Sequence, residues 1–192
     1  MPKETEAKFR VAAHEPVRQR LIRARATFVA RVLETNRIFD RPDGSLRAAG
    51  SGLRLRHARE ENRGSVTTVT FKGPVASGPF KSREELEMAV TDADIAAEFL
   101  KRLGFVEILA YEKRRESWRL GDCLVELDEP PYIGLFVEIE GPEENAICAA
   151  RDELRLSEAT YEEASYVQMM LAYRSRHRLP NALIRMDGGH DA

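Results

Sequence analysis

The chain has 192 residues, a length that fits one domain with a real core, and its 43% hydrophobic and 32% charged content excludes both a membrane-embedded and a disordered chain. A formal net charge of −2 excludes a broadly basic nucleic-acid binder held by bulk electrostatics. The opening MPKETEAKFRV has no apolar stretch behind a basic start, and no run approaches the roughly 20 apolar residues of a membrane helix. Cys123 and Cys148 are too few and too isolated for a disulfide framework or a zinc cluster. The expectation is a cytoplasmic protein with reduced cysteines, bound neither to membrane nor to nucleic acid.

Residues 2–12 alternate as a strand, with Glu4, Glu6, Lys8 and Arg10 on one face and Thr5, Ala7, Phe9 and Val11 on the other. Pro16 opens a short Arg-rich helix, and Thr27 to Asp40 reads as a second strand, followed by an Asp43-Gly44 turn. Leu53–Arg59 and Val66–Gly73 are strands joined through Glu60–Gly64, and Phe80–Val90 is another. Asp92 caps a helix that closes at Gly104. Phe105–Leu120 and Cys123–Asp128 form a hairpin about Gly121-Asp122, and Pro130-Pro131 turn the chain into Gly134–Gly141. A helix opens at Pro142-Glu143-Glu144, where acids suit the positive end of the helix dipole. Another starts at Thr160-x-x-Glu163, a capping-box pattern, and runs through Tyr166, Met169, Met170 and Tyr173. The whole reads as one α+β domain over residues 1–177, dominated by antiparallel strands, with 178–192 as a weakly held tail.

The informative pattern is charge at spacing two within strands: Glu4, Glu6 and Lys8; Arg54 and Arg56; Arg83, Glu85 and Glu87; Lys113 and Arg115; Glu126 and Asp128; Glu138 and Glu140. Residues two apart share a face. For any one pair a solvated sheet face is a sufficient account. Across the set, however, some strands hold acids and others bases, whereas a face serving solubility alone mixes signs. If the strands curl into one barrel with these faces inward, the buried charges need a partner. A triphosphate with divalent cations supplies it, because hard cations take carboxylate oxygens and phosphates take Arg and Lys.

The same residues resemble the CYTH superfamily, the triphosphate tunnel metalloenzymes. Glu4-x-Glu6-x-Lys8 matches its E-x-E-x-K signature. The match continues in order through Thr35-Asn36, Leu53-Arg54-Leu55-Arg56, Thr70-Phe71-Lys72-Gly73-Pro74, Arg83-x-Glu85-x-Glu87, Lys113-x-Arg115, Glu126-Leu127-Asp128 and Phe136-Val137-Glu138-Ile139-Glu140. The resemblance implies an eight-stranded antiparallel β-barrel tunnel, open at both ends and flanked by helices, that hydrolyses or rearranges triphosphates with Mg²⁺ or Mn²⁺. It further implies Glu4, Glu6, Asp128, Glu138 and Glu140 as metal ligands, and Lys8, Arg54, Arg56, Lys72, Arg83, Lys113 and Arg115 as phosphate ligands. Lys8, Glu85 and Glu87 are the implied catalytic groups, one of the two glutamates lying near the attacking water or a second metal. Ser165-Tyr166 replaces the Lys-Tyr of several members, an arrangement similar to the cyclase-like branch.

Metal-dependent hydrolysis of inorganic triphosphate, or of an organic or nucleoside triphosphate, is placed first. Cyclisation of ATP to cyclic AMP and pyrophosphate comes second, because no residues identify a base-and-ribose pocket. A non-catalytic polyphosphate or nucleotide sensor is a third reading, disfavoured by the retained carboxylates. The expected partner is a small triphosphate, and the protein is a monomer or homodimer. His14, His57, His177 and His190 are scattered without metal-ligand spacing. Phe105, Tyr111 and Trp118 are expected to pack, and Arg18, Arg20, Arg23 and Arg25 to form a solvated helix face.

Overall fold

The computed structural model of the chain describes residues 3–60, 63–76, 79–180 and 182–187, with Lys3 and Glu4 described by backbone alone. His190 lies outside the described residues. Eight antiparallel strands form the body: β1 Lys3–Val11, β2 Thr27–Asp40, β3 Gly52–Glu60, β4 Gly64–Lys72, β5 Lys81–Val90, β6 Val106–Leu120, β7 Cys123–Glu129 and β8 Leu135–Glu140. Their order is β6-β2-β3-β4-β5-β1-β8-β7, and β7 pairs back onto β6, so the sheet closes into a barrel. The first strand makes closure possible by dividing its length between two neighbours. Lys3–Glu6 pair with β5, and Glu6–Val11 pair with β8.

Five helices flank the barrel: α1 Glu15–Arg23, α2 Ser45–Ala48, α3 Ala93–Arg102, α4 Glu144–Glu153 and α5 Tyr166–His177. Asp92 caps α3, accepting from the Asp94 and Ile95 amides, and Gly104 follows it at φ 85°, a conformation open to glycine at no steric cost. None of the described helices is long and apolar enough to cross a membrane.

Two of the three apolar clusters among the described residues lie outside the barrel. Ala7, Phe9, Val125, Leu127, Val137 and Ile139, on the outer faces of β1, β7 and β8, are packed with Val17 and Leu21 of α1 and Ile147 and Ala150 of α4. Leu53 and Leu55 of β3 pack with Ala97 and Leu100 of α3. Because strand side chains alternate, committing the apolar set outward to the helices commits the charged set inward.

Three expectations change. The last helix does not begin at Thr160, which sits in a short strand, β9 (Thr160–Tyr161), paired with Phe9 and Arg10 of β1. Its capping box is Ser165-x-x-Gln168, one turn of pattern later, because Thr160 and Tyr161 are drawn into the sheet. The short helix α2 was not foreseen; Asp40 holds it, accepting from the Leu46 amide and from Arg47 Nε. Residues past 178 are not simply loose, since Leu183–Ile184 form β10, pair in parallel with Ala110 and Tyr111 of β6, and bury Ile184.

The aromatic expectations hold. Tyr111 and Trp118 are buried, and Phe105 packs against the α3 cluster. The α1 arginines are not uniformly a solvated face. Arg18 binds the Glu116 carboxylate through two nitrogens, and Arg20 donates to the Leu154 carbonyl. Of the histidines, His14 Nε2 meets the Phe136 carbonyl, His57 Nδ1 meets Thr67, and His177 stacks on Tyr173.

Candidate functional site

The barrel interior is a buried ion-pair network. Its centre is Arg115 of β6, opposite Asp128 of β7 in register. Arg115 Nε donates to Asp128 Oδ1 at 2.7 Å and Nη2 to Asp128 Oδ2 at 2.5 Å and Glu138 Oε2 at 2.6 Å. Its remaining nitrogen, Nη1, pairs with Glu126. Two residues along the same strand face, Lys113 is 1% exposed and donates to Asp128 at 2.9 Å. Charges this deep are tolerable only when paired, and here each has a partner.

Asp128 accepts from Lys113, from Arg115 twice and from the Tyr166 hydroxyl. Burial by itself would raise its pKa, but the two cations hold the carboxyl well below the usual carboxylate range. Burial pushes the Glu126 carboxyl up to about 7 in spite of Arg115, and the Asp128 charge adds to the rise. Glu138 is likewise raised by burial, then by Glu6 and Asp128.

The β3 arginines enter from the far side of β2, one strand removed from β6. Arg56 Nε donates to Asn36 Oδ1 at 2.8 Å, and Arg56 Nη1 lies 2.9 Å from Glu34 Oε1. Arg54 donates to Thr70 Oγ1 at 3.2 Å and lies 3.8 Å from Glu87, while its Nε is buried with no hydrogen-bond partner among the described residues. Burial pulls the Arg54 guanidinium down to about 10, with Arg56 adding to the effect. An under-coordinated buried guanidinium has an N–H to donate to a phosphate oxygen. Lys72 pairs with Glu85, and Arg83 Nε lies 3.4 Å from the same carboxylate. Glu87 accepts from Thr70 at 2.7 Å and is half-exposed, standing apart from the buried centre.

Lys8 is buried and points at the start of α5, donating to the Ala164 carbonyl at 2.5 Å with its ammonium 4.3 Å from the Tyr166 ring centroid. Burial lowers its pKa to about 8, partly offset by Glu138. At this end of the barrel Tyr166 and Met170 of α5 pack on the inward residues Ile38, Tyr111 and Phe136. The helix α5 thus borders the tunnel at this end.

The carboxylates implied as metal ligands sit on paired strands. Glu6 is opposite Glu140, Lys8 is opposite Glu138, and Glu138 is opposite Glu126. The Glu4 side chain lies outside those described. Among the described residues no three Asp, Glu, His or Cys side chains are grouped to hold a metal as they stand. The donor chemistry nonetheless fits a hard divalent cation. Glu6 and Glu140 face one another across β1 and β8, and Glu138 lies two residues from Glu140, so adjoining strands present the carboxylate oxygens such an ion takes.

Sequence reasoning missed Glu34, Lys81 and Tyr166 as members of the site, and placed Glu126 on the inward face without giving it a role. Glu34 is 2% exposed, and although burial would raise it, Arg56, Lys113 and Arg115 bring its carboxyl down to about 2. Lys81 stands opposite Glu6 in register, and burial lowers its pKa. A signal existed for three of them. Lys81 extends the Arg83-x-Glu85 face by two residues, Glu126 already stood in the period-two pattern beside Asp128, and Glu34-x-Asn36 makes such a face on β2.

A closed eight-stranded barrel with an apolar, helix-covered exterior and a lumen of matched acids and bases defines a charged-tunnel protein. The chain belongs to the CYTH domain family, whose model matches residues 2–166. Enzymes of this family are triphosphatases or cyclases and depend on divalent metal. The chain is 28% identical over 137 residues to a candidate adenylate cyclase, MJ0240, of Methanocaldococcus jannaschii, covering 71% of this chain and 75% of that protein. It is 35% identical over 106 residues to adenylate cyclase CyaB of Aeromonas hydrophila, covering 55% of this chain and 51% of that one. Among solved structures, the PH1819 protein of Pyrococcus horikoshii superposes with a TM-score of 0.77 at 27% identity, covering 89% of this chain and 99% of that one. The PH1012 protein of the same organism gives 0.73 at 27% identity, covering 85% and 97%.

Proposed function

We propose that this protein is a divalent-metal-dependent triphosphatase that takes inorganic triphosphate, or the triphosphate arm of a small organic molecule, into the barrel. The observation that carries the reading is the convergence of Arg54, Arg56, Lys113 and Arg115 from two strands onto one enclosed lumen. A lumen of this kind offers fork-shaped donors for phosphate oxygens at buried depth.

In this scheme Arg54, Arg56, Lys113 and Arg115 bind the phosphate chain, with Lys72, Arg83 and Lys8 extending the cationic lining. Glu6, Glu138 and Glu140, with Glu4 beside them in sequence, would hold Mg²⁺ or Mn²⁺. When bound, the cation neutralises phosphate charge that the arginines alone leave uncompensated. Asp128, saturated by cations and a tyrosine hydroxyl, is assigned here to orienting Lys113 and Arg115 as well as to the metal site. Glu85 or Glu87 would accept a proton from the attacking water; Glu87, half-exposed and bonded only to Thr70 and Arg54 among the described residues, is the more accessible. Phosphoryl transfer asks mainly for such positioning and charge stabilisation. The free cysteines agree with a cytoplasmic, reducing location.

The names of the two curated relatives favour a second reading, cyclisation of ATP by attack of the ribose hydroxyl on the α-phosphate. Assays of tripolyphosphate, thiamine triphosphate and ATP, each with Mg²⁺ and with Mn²⁺, separate the two. Release of orthophosphate, lost in Arg56→Ala and Arg115→Ala, is the expected result. Cyclic AMP with pyrophosphate as the main product transfers the assignment to cyclase. Binding without turnover of any of the three makes the protein a sensor.

A further inference from the structure

We infer that Glu34 is a positioning residue of the phosphate site, a resident counter-anion that fixes Arg56, Lys113 and Arg115 and competes with an incoming polyphosphate for their nitrogens. The inference rests on the triphosphate-binding reading above and adds a residue and a direction to it.

Glu34 touches more of the proposed phosphate cations than any other described carboxylate on its side of the barrel. Its Oε1 lies 2.9 Å from Arg56 Nη1 and 3.8 Å from Arg115 Nε, and its Oε2 lies 3.4 Å from Lys113 Nζ. It is the only carboxylate paired with Arg56 among the described residues. The register explains the reach. Glu34 stands directly opposite Lys113 across β2 and β6, Asn36 stands opposite Arg56 across β2 and β3, and Arg115 stands opposite Asp128 across β6 and β7. The two β6 cations are thus gripped from both flanking strands, by Glu34 on one side and Asp128 on the other. Asn36 completes the hold, accepting from Arg56 Nε and donating to Glu34 at 3.4 Å.

Two opposed consequences follow from this placement. Fixing the guanidinium planes in advance lowers the cost of ordering them around a ligand, which favours turnover. The same negative charge cannot leave, because it is anchored in the middle of a strand and is 2% exposed, so it competes with any anion for the same nitrogens. A residue that merely stabilised the fold would not pull affinity and turnover in opposite directions.

The experiment measures binding of tripolyphosphate without metal by calorimetry, and tripolyphosphate turnover with Mn²⁺, in wild type, Glu34→Gln and Glu34→Asp. Removing the charge with Glu34→Gln is expected to tighten binding about tenfold while kcat falls about tenfold or more. Glu34→Asp keeps the charge but withdraws it by one methylene, so its affinity stays within about threefold of wild type while kcat falls. Should Glu34→Gln not fold, as a thermal melt will show, Asn36→Ala gives the independent reading. It frees Arg56 Nε without changing charge, and kcat is expected to fall at near-constant affinity. Weaker or unchanged binding by a folded Glu34→Gln, or an unaltered kcat in Asn36→Ala, overturns the inference while leaving the triphosphate reading intact. A wild-type protein that binds no tripolyphosphate overturns both.

Discussion

Tyr166 donates its hydroxyl to Asp128 Oδ2 at 2.9 Å, fastening the first turn of α5 to the inner face of β7. The bond joins the helix to the carboxylate that already holds Lys113 and Arg115. Burial, reinforced by the Asp128 charge, raises the Tyr166 pKa well above its ordinary value, so the phenol stays a donor across the physiological range.

Tyr166→Phe removes that donor while Asp128 keeps its cations. The expected loss is about 1.5–3 kcal/mol of stability, the usual range for a hydrogen bond to a charged group. Hydrogen exchange should quicken in the first turn of α5 and leave β7 amides protected. Uniform loss of protection across the barrel would count against a local fastening role.

The carboxylate wall predicts the pH dependence of metal binding. Glu126, raised to about 7, and Glu138, also raised, must lose their protons before the wall offers its full charge. A raised acid pKa disfavours the ionised folded state, so apo stability falls as pH rises from the unfolded carboxylate range toward 7. Mn²⁺ should reverse that penalty, giving a larger thermal shift at pH 8 than at pH 6. Glu126→Gln should flatten the difference; an unchanged pH dependence would remove Glu126 from the metal wall.

Lys8 sets the alkaline side. Its pKa, lowered to about 8 by burial, leaves the ammonium half-charged near that pH in the ligand-free protein. Since the folded value lies below the unfolded one, the folded state gains stability between about 8 and the unfolded lysine pKa as the buried charge is discharged. Anion affinity should move the other way and weaken above pH 8. The KM for tripolyphosphate, measured from pH 7 to 10, is expected to rise in wild type and to stay level in Lys8→Gln, which begins weaker.

Glu116 supplies a test of stability away from the lumen. It faces outward from β6, accepts from Arg18, Arg31 and Trp118, and is 5% exposed. Burial would raise its pKa, but those three donors hold the carboxyl at about 2. A depressed acid pKa contributes stability above the unfolded value, and that contribution is lost as pH falls toward 2. Glu116→Gln should cost about 2 kcal/mol at pH 7, with the deficit shrinking in acid. Turnover should be unaltered where the variant is folded.

Strand boundaries were readable because they depend on local alternation. β2 spans the Thr27–Asp40 that alternation predicts, and Asp92 and Gly104 delimit α3 as their capping preferences predict. The period-two charges of β1, β3, β6, β7 and β8 likewise marked one face of each strand. Where a segment's fate depends on a distant partner, the sequence was silent or misleading. Thr160 carries a helix-start pattern but pairs with β1, and Leu183–Ile184 look like part of a tail but find the free side of β6.

Sequence alone determined which residues share a strand face and that charged residues gather on one of the two faces, because side chains of an extended chain repeat every two residues. Only the tertiary structure decided that this face turns inward and which charge meets which. Closing β7 onto β6 puts Arg115 against Asp128, and the β2–β6 register puts Glu34 against Lys113. Pairing across a barrel is set by register and closure, and those arise from contacts between segments far apart in the chain.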